Sequence, residues 1–301
     1  MSSTRRGVLY GASAYLLWGL FPLYWPLLEP SGSLEILAHR ILWSLVVVAV
    51  LLGVTRRLGA VRAALSDRRR VLRLALAAVV IAINWGTYIY GVTHERVVET
   101  SLGYFVNPIV TVLLGVVVLG EKLRPAQWTA LGAAFVAVVV LTVENGSPPW
   151  LALVLAFSFG TYGLLKKTAG VGAVEGLAIE TAVLLPVAAA YVLFIGVNGD
   201  GTFGSEGPAH AGLLALAGVI TAVPLLLFGA AASRVPLTTL GVLQYLAPTL
   251  QFLLGVTLFD EPLPLVKLLG FVLVWVGLAL FTADLVRHHR RTTRLAVSAL
   301  A

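Results

Sequence analysis

Runs of about 20 apolar residues recur from one end of the chain to the other, and each is long enough to cross a hydrocarbon core of roughly 30 Å as a helix. Short polar or Gly/Pro-bearing breaks separate them. The pattern predicts ten spans, at approximately 7–28, 35–53, 71–92, 99–119, 126–143, 149–165, 177–197, 211–231, 237–259 and 264–285, the sixth being the shortest. Lipid offers a backbone no hydrogen-bond partner, so a chain patterned this way is expected to be an all-α polytopic membrane protein. Trp18, Gly19 and Pro22 predict a bend in the first span. That first stretch is longer than the apolar core of a signal peptide and is expected to remain as an uncleaved span.

A triplet repeats within this pattern. Pro108, Gly115 and Glu121 have six and five residues between them, and Pro248, Gly255 and Glu261 keep that spacing 140 positions later. At an offset of 138, Gly91, Arg96, Val97, Leu102 and Gly103 match Gly229, Arg234, Val235, Leu240 and Gly241. Over 102–123 against 242–263, seven of 22 positions are identical. Five spans per copy is an odd number, so the two copies cross the bilayer in opposite directions. The expected organisation is therefore two inverted five-helix repeats, at 7–143 and 149–285, followed by a basic tail at 286–301. Inverted repeats are a sequence trace of secondary transporters, with the solute site between the halves.

Composition narrows the alternatives. The chain is 59% hydrophobic and only 12% charged, against about one quarter charged in soluble domains. Little chain is left outside the spans to form a soluble catalytic domain. The absence of cysteine excludes disulfides, thiol catalysis and thiolate metal ligands. When loops are assigned alternately to two sides, 18 of the 21 basic residues fall on the side of the N-terminus. Nine of the 14 acidic residues fall on the other. Basic short loops resist translocation, so both termini are expected in the cytoplasm. The net charge of +7 is then a matter of orientation and of attraction to anionic lipid headgroups, and nucleic acid is not an expected partner.

Polar side chains inside spans are costly and commonly face a cavity or a neighbouring helix. Tyr104, Asn107 and Thr111 share one face of the fourth span, and Gln244, Pro248 and Gln251 share one face of the ninth. The repeat pairs Tyr104 with Gln244 and Thr111 with Gln251. The two stripes either oppose each other across a central cavity and bind a small solute, or act as glue between helices. A second cluster holds His39 and Arg40, Asn84 with Trp85, and Glu99. Arg40 is expected to pair with Glu99 or to snorkel. His39 either carries a proton for coupled transport or is a structural histidine. Glu180 either pairs with Lys166 or meets interfacial water, and Glu121 and Glu261 are expected to be loop anchors. Tyr15, Trp18, Trp43, Trp85 and Tyr162 either line an apolar cavity or anchor helices at the interface. The alternative to a transporter is an intramembrane lipid-modifying enzyme. Against it, no aspartate lies deep inside a span, and His39 has no evident base partner within the spans but Glu99. No metal or other cofactor is expected, and a homodimer is left open.

The strings AYLLWGLFP (14–22), EILAHRILWS (35–44), ETSLGYFVNP (99–108), LGEKLRPAQW (119–128), AFSFGTYGLLKK (156–167), ETAVLLPVA (180–188) and TLGVLQYLAPTL (239–250) closely resemble the RarD subfamily of EamA-type permeases, in the drug/metabolite transporter superfamily. The resemblance runs from about residue 5 to residue 287. It implies a ten-helix inner-membrane efflux permease of two inverted repeats. The subfamily label refers to chloramphenicol sensitivity, and related branches export amino acids and other metabolites. The polar positions it carries over are His39, Arg40, Asn84, Glu99, Tyr104, Asn107, Gln244 and Tyr245. Gln251 and Gly86 depart from the expected pattern. Candidate solute-binding residues are thus Tyr104, Asn107, Gln244, Tyr245, Asn84, Trp85 and Trp18. Candidate coupling or gating residues are His39, Arg40, Glu99 and Glu180, with protons as the candidate coupling ion.

The charge assignment makes a labelling prediction in this cysteine-free background. Ser205→Cys is expected to react with an impermeant maleimide in intact cells, and Ser66→Cys only after permeabilisation. The reverse order would invert the topology.

Overall fold

The computed structural model describes residues 2–93, 97–144, 150–258 and eight further positions between 265 and 280. Among these there is no strand, and nearly every residue is helical. Ser33–Val54, Arg68–Tyr88, Ala173–Asn198 and Gly207–Ala232 are long and apolar enough to cross a membrane, and Val106–Leu119 is a shorter apolar helix.

Helix α1 (Ser3–Gly19) starts at Ser2, whose hydroxyl accepts the Arg5 N–H at 3.3 Å. Beyond Gly19 the chain tightens into two 3-10 turns, Phe21–Leu23 and Trp25–Leu28, each with a proline at its start. Pro22 and Pro26 have no N–H to continue an α-ladder. The first predicted span is therefore an α-helix for its first part only, and its bend lies at the predicted place.

Next come α2 (Ser33–Val54), α3 (Leu58–Leu65), α4 (Arg68–Thr93), α5 (Val97–Leu119) and α6 (Pro125–Glu144). The second half follows with α7 (Trp150–Ala169), α8 (Ala173–Asn198), α9 (Gly207–Ala232), α10 (Leu237–Leu243) and α11 (Leu246–Thr257). Helix α3, in the arginine-rich connection, was not expected. Helix α7 runs a turn past the predicted end of the sixth span and takes in Lys166 and Lys167.

The ninth predicted span is not continuous. It breaks at Gln244 and Tyr245, between α10 and α11. A proline ring collides with the carbonyl four residues earlier, and for Pro248 that residue is Gln244. Pro108 has the same place in α5, which runs through it unbroken. Glu261, most of the tenth span and the basic tail lie outside the described residues.

Helix neighbours exchange when the halves are exchanged. Helix α5 packs on α7 as α11 packs on α1, α4 packs on α7 as α9 packs on α1, and α2 packs on α9 as α4 packs on α8. Two equivalent pairs meet directly, α2 with α8 and α5 with α10. The α5–α10 pair is antiparallel: Thr111 meets Gln244 at 3.2 Å, while ten residues on, Glu121 meets the N–H groups of Leu237 and Thr238 at 2.7 and 2.9 Å.

Close approach between helices depends on glycine. On α1, the buried Gly7, Gly11 and Gly19 meet Val235, Leu243 and Leu250 in turn, so that face lies flush against the other half. At Gly241 a Cβ would stand 2.9 Å from the Pro108 carbonyl oxygen, a backbone atom that cannot swing aside. Gly241→Ala is expected to cost about 1–3 kcal/mol by overpacking and to lower the melting temperature in detergent. Gly132→Ala, with nothing within 4 Å of the added carbon, is expected to leave it unchanged or slightly raised.

Candidate functional site

Arg40 organises the largest group of the expected residues. It sits on α2, buried, and its Nε donates to Thr221 Oγ1 of α9 at 2.8 Å. Its guanidinium carbon lies 4.8 Å from the ring centre of Trp85, 5.1 Å from Trp25 and 5.8 Å from Phe21. Such distances place a cation on aromatic faces. Tyr24, Tyr88 and Tyr104 are within electrostatic reach, and the rings of Tyr88 and Tyr104 are 5.8 Å apart. The side chain of Glu99, the expected partner of Arg40, lies outside the described residues.

One narrow cavity, with about 10 Å³ open to a water-sized molecule, runs from Arg40 and Trp85 to Tyr162 and Glu180. Ser44, Thr181 and Thr221 add hydroxyl groups, and Ile81, Leu177 and Leu225 make its walls apolar. At its far end Glu180 is fully engaged. Lys166 Nζ donates to Oε1 at 2.8 Å and the Tyr162 hydroxyl donates to Oε2 at 3.2 Å. Both charged side chains are about 5% exposed or less, so they form a buried ion pair rather than two groups meeting interfacial water.

The polar stripes do not face each other across an open space. Thr111 donates directly to Gln244, and the α10 backbone rests on the Pro108 carbonyl through Gly241. Gln251 turns to α1 and donates to the Trp18 carbonyl at 3.2 Å. The cavity lies instead between α2, α4, α7, α8 and α9. Among the described residues four buried oxygens have no hydrogen-bond partner: Asn107 Oδ1, the Tyr245 hydroxyl, the Tyr15 hydroxyl and Glu175 Oε2. The first two belong to expected solute-binding residues.

The remaining expected residues are scattered. Asn84 donates to the Leu155 carbonyl and to Ser158 Oγ, both at 2.9 Å, and so ties α4 to α7. Trp18 joins an aromatic group with Tyr15, Phe159 and Phe228. His39 turns away from its neighbour Arg40 and stacks on Phe203 at 4.7 Å. It lies 4.0 Å from Glu35, whose Oε1 accepts the N–H groups of Thr202 and Phe203. Glu121, expected to anchor a loop, accepts the first N–H groups of α10. Among the described residues no three His, Cys, Asp or Glu side chains converge to hold a metal ion.

Phe21, Trp25 and Thr221 were missed by sequence reasoning. The run Phe21-Pro22-Leu23-Tyr24-Trp25-Pro26 held a signal for the first two, because prolines that end a helix fix the aromatics between them. Nothing in the local sequence marks Thr221.

The EamA-like transporter family model matches residues 5–143 and 147–283. The chain belongs to the EamA-like transporter family. Protein RarD of Streptomyces exfoliatus is 56% identical over 96% of this chain and 91% of its own length. The uncharacterized transporter YojE of Bacillus subtilis is 43% identical over 96% of this chain and 97% of its own. A Pseudomonas aeruginosa relative named chloramphenicol-sensitive protein RarD is 33% identical over 98% of this chain and 99% of its own. These likenesses identify the chain as a multi-pass membrane protein of the RarD subfamily. A crystal structure with 20% identity superposes with a TM-score of 0.70, covering 93% of this chain and 98% of that one, and so shares the fold.

The buried pair at the end of the cavity allows a double-mutant cycle. Removing one partner strands a buried charge, so Glu180→Leu or Lys166→Met alone is expected to cost about 3–5 kcal/mol. Lys166→Met combined with Glu180→Leu is expected to regain most of it, as read from unfolding of all four proteins in one detergent.

Proposed function

We propose that this chain is a secondary transporter that moves small, partly apolar metabolites or drugs across the inner membrane by alternating access. Its moving parts are the two inverted repeats, 7–143 and 149–285. The observation that carries the reading is the antiparallel crossing of α5 and α10 at the centre of a helix arrangement whose neighbours exchange with the halves. Such a design has two related packings of similar energy, one open to each side. Transporters among the relatives support the class.

Asn107, Tyr245 and Gln244 lie at this junction, two of them with buried oxygens unpartnered. A solute entering there supplies the missing hydrogen bonds. Amino acids and chloramphenicol-like compounds are the first solutes to examine, with export as the expected direction. His39, Glu99 and Glu180 are the candidate proton carriers.

Reconstituted protein is expected to accelerate uptake of at least one solute from a metabolite and drug panel over protein-free liposomes. Asn107→Ala is expected to slow it about three- to tenfold, the worth of one hydrogen bond. An imposed pH gradient is expected to drive accumulation that a protonophore abolishes. Equal rates in its presence would make the process facilitated diffusion, and no acceleration for any solute would overturn the transporter reading.

A further inference from the structure

The two charged ends of the cavity are not equivalent. Glu180 has both carboxylate oxygens satisfied by Lys166 and Tyr162. Arg40, only 8% exposed, uses Nε alone: among the described residues its one hydrogen bond goes to Thr221, a neutral hydroxyl, and no carboxylate pairs with it. A buried ion without a counter-charge costs several kcal/mol even after relaxation. Aromatic faces offset part of that cost. They do so without neutralising the cation or occupying the outer edge of its fork.

We propose that Arg40 is an anion-recognition site, and that the solute is a small organic carboxylate whose apolar body lies against Trp85 and the apolar cavity wall. Resting on the transporter reading, this names a solute class for the cavity beside Arg40. Two free guanidinium nitrogens match the two oxygens of a carboxylate in a bidentate pair. The Thr221 hydrogen bond holds the other edge of the guanidinium and so fixes its plane. Trp85 lines the cavity and also lies 4.8 Å from the guanidinium carbon, so it meets an apolar group attached to the bound carboxylate. Ile81, Leu177 and Leu225 continue that surface away from Arg40. An ammonium on the solute finds no free carboxylate at the far end, because Lys166 already occupies Glu180. The arrangement therefore favours a monoanion over a zwitterion or a cation.

A matched panel tests this: aryl- and alkyl-substituted acetates, each compared with its own amide and amine by titration calorimetry on purified protein. At least one acid is expected to bind tenfold or more tightly than its amide, with its amine weaker still. Arg40→Gln is expected to erase the preference, Arg40→Lys to keep part of it, and Thr221→Val to weaken it while leaving the charge. If no acid outcompetes its amide, the inference is overturned, as it would be if the Glu99 carboxylate neutralised the guanidinium. That comparison needs only the wild-type protein and holds even where Arg40→Gln fails to fold. Transport of neutral solutes without any acid preference would sink this inference and leave the transporter standing. Acid binding through Arg40 without transport would do the opposite.

Discussion

Where α5 crosses α10, a residue without a side chain lets two helix backbones touch, and the rest of the bundle is arranged around that contact. Gly241 lies on the Pro108 carbonyl, Thr111 and Gln244 join by a hydrogen bond, and Glu121 holds the first N–H groups of α10. Between lipid-exposed helices no hydrophobic force favours association, so close packing and buried hydrogen bonds must supply it. The glycine face of α1 repeats the device against α9, α10 and α11. Together these contacts join the halves.

Polar groups placed within this packing are of two kinds. Some are fully spent inside the protein. Asn84 bridges to α7, Gln251 to α1, Lys166 to Glu180, and Glu35 to the loop at Thr202 and Phe203. Others are buried and under-used: Asn107, Tyr245 and the guanidinium of Arg40. In a low-dielectric interior an unmet hydrogen bond or charge is expensive, and a ligand that meets it gains what the protein forgoes. That division, rather than depth in the membrane, separates scaffold from site.

Much of this was legible along the chain. Apolar run length located the helices, because a span of fixed thickness needs a fixed number of residues. Of the matched Pro, Gly and Glu positions, Pro108, Gly115 and Glu121 lie where α5 meets α10. The break in the ninth span falls four residues before Pro248, at Gln244, where the proline ring meets a carbonyl. The sequence left open whether the two polar stripes oppose each other across a cavity or join helices, because symmetry alone cannot say how near two axes lie. Gly241 brings them into contact, so the cavity forms elsewhere.

By itself the sequence determined the class, the span positions and the equivalence of the halves, since these follow from local periodicity, composition and spacing. It also marked the ionisable and amide side chains within the apolar runs, because such a side chain is conspicuous there wherever it points. Only the tertiary structure decided which of them meet. His39 and Arg40 are adjacent in sequence, yet one faces Phe203 and the other Trp85. Arg40 and Glu180 are 140 residues apart and line one cavity. A helix turns each successive side chain by about 100°, so neighbours diverge, and only the packing of distant helices brings the charged ends of a cavity together.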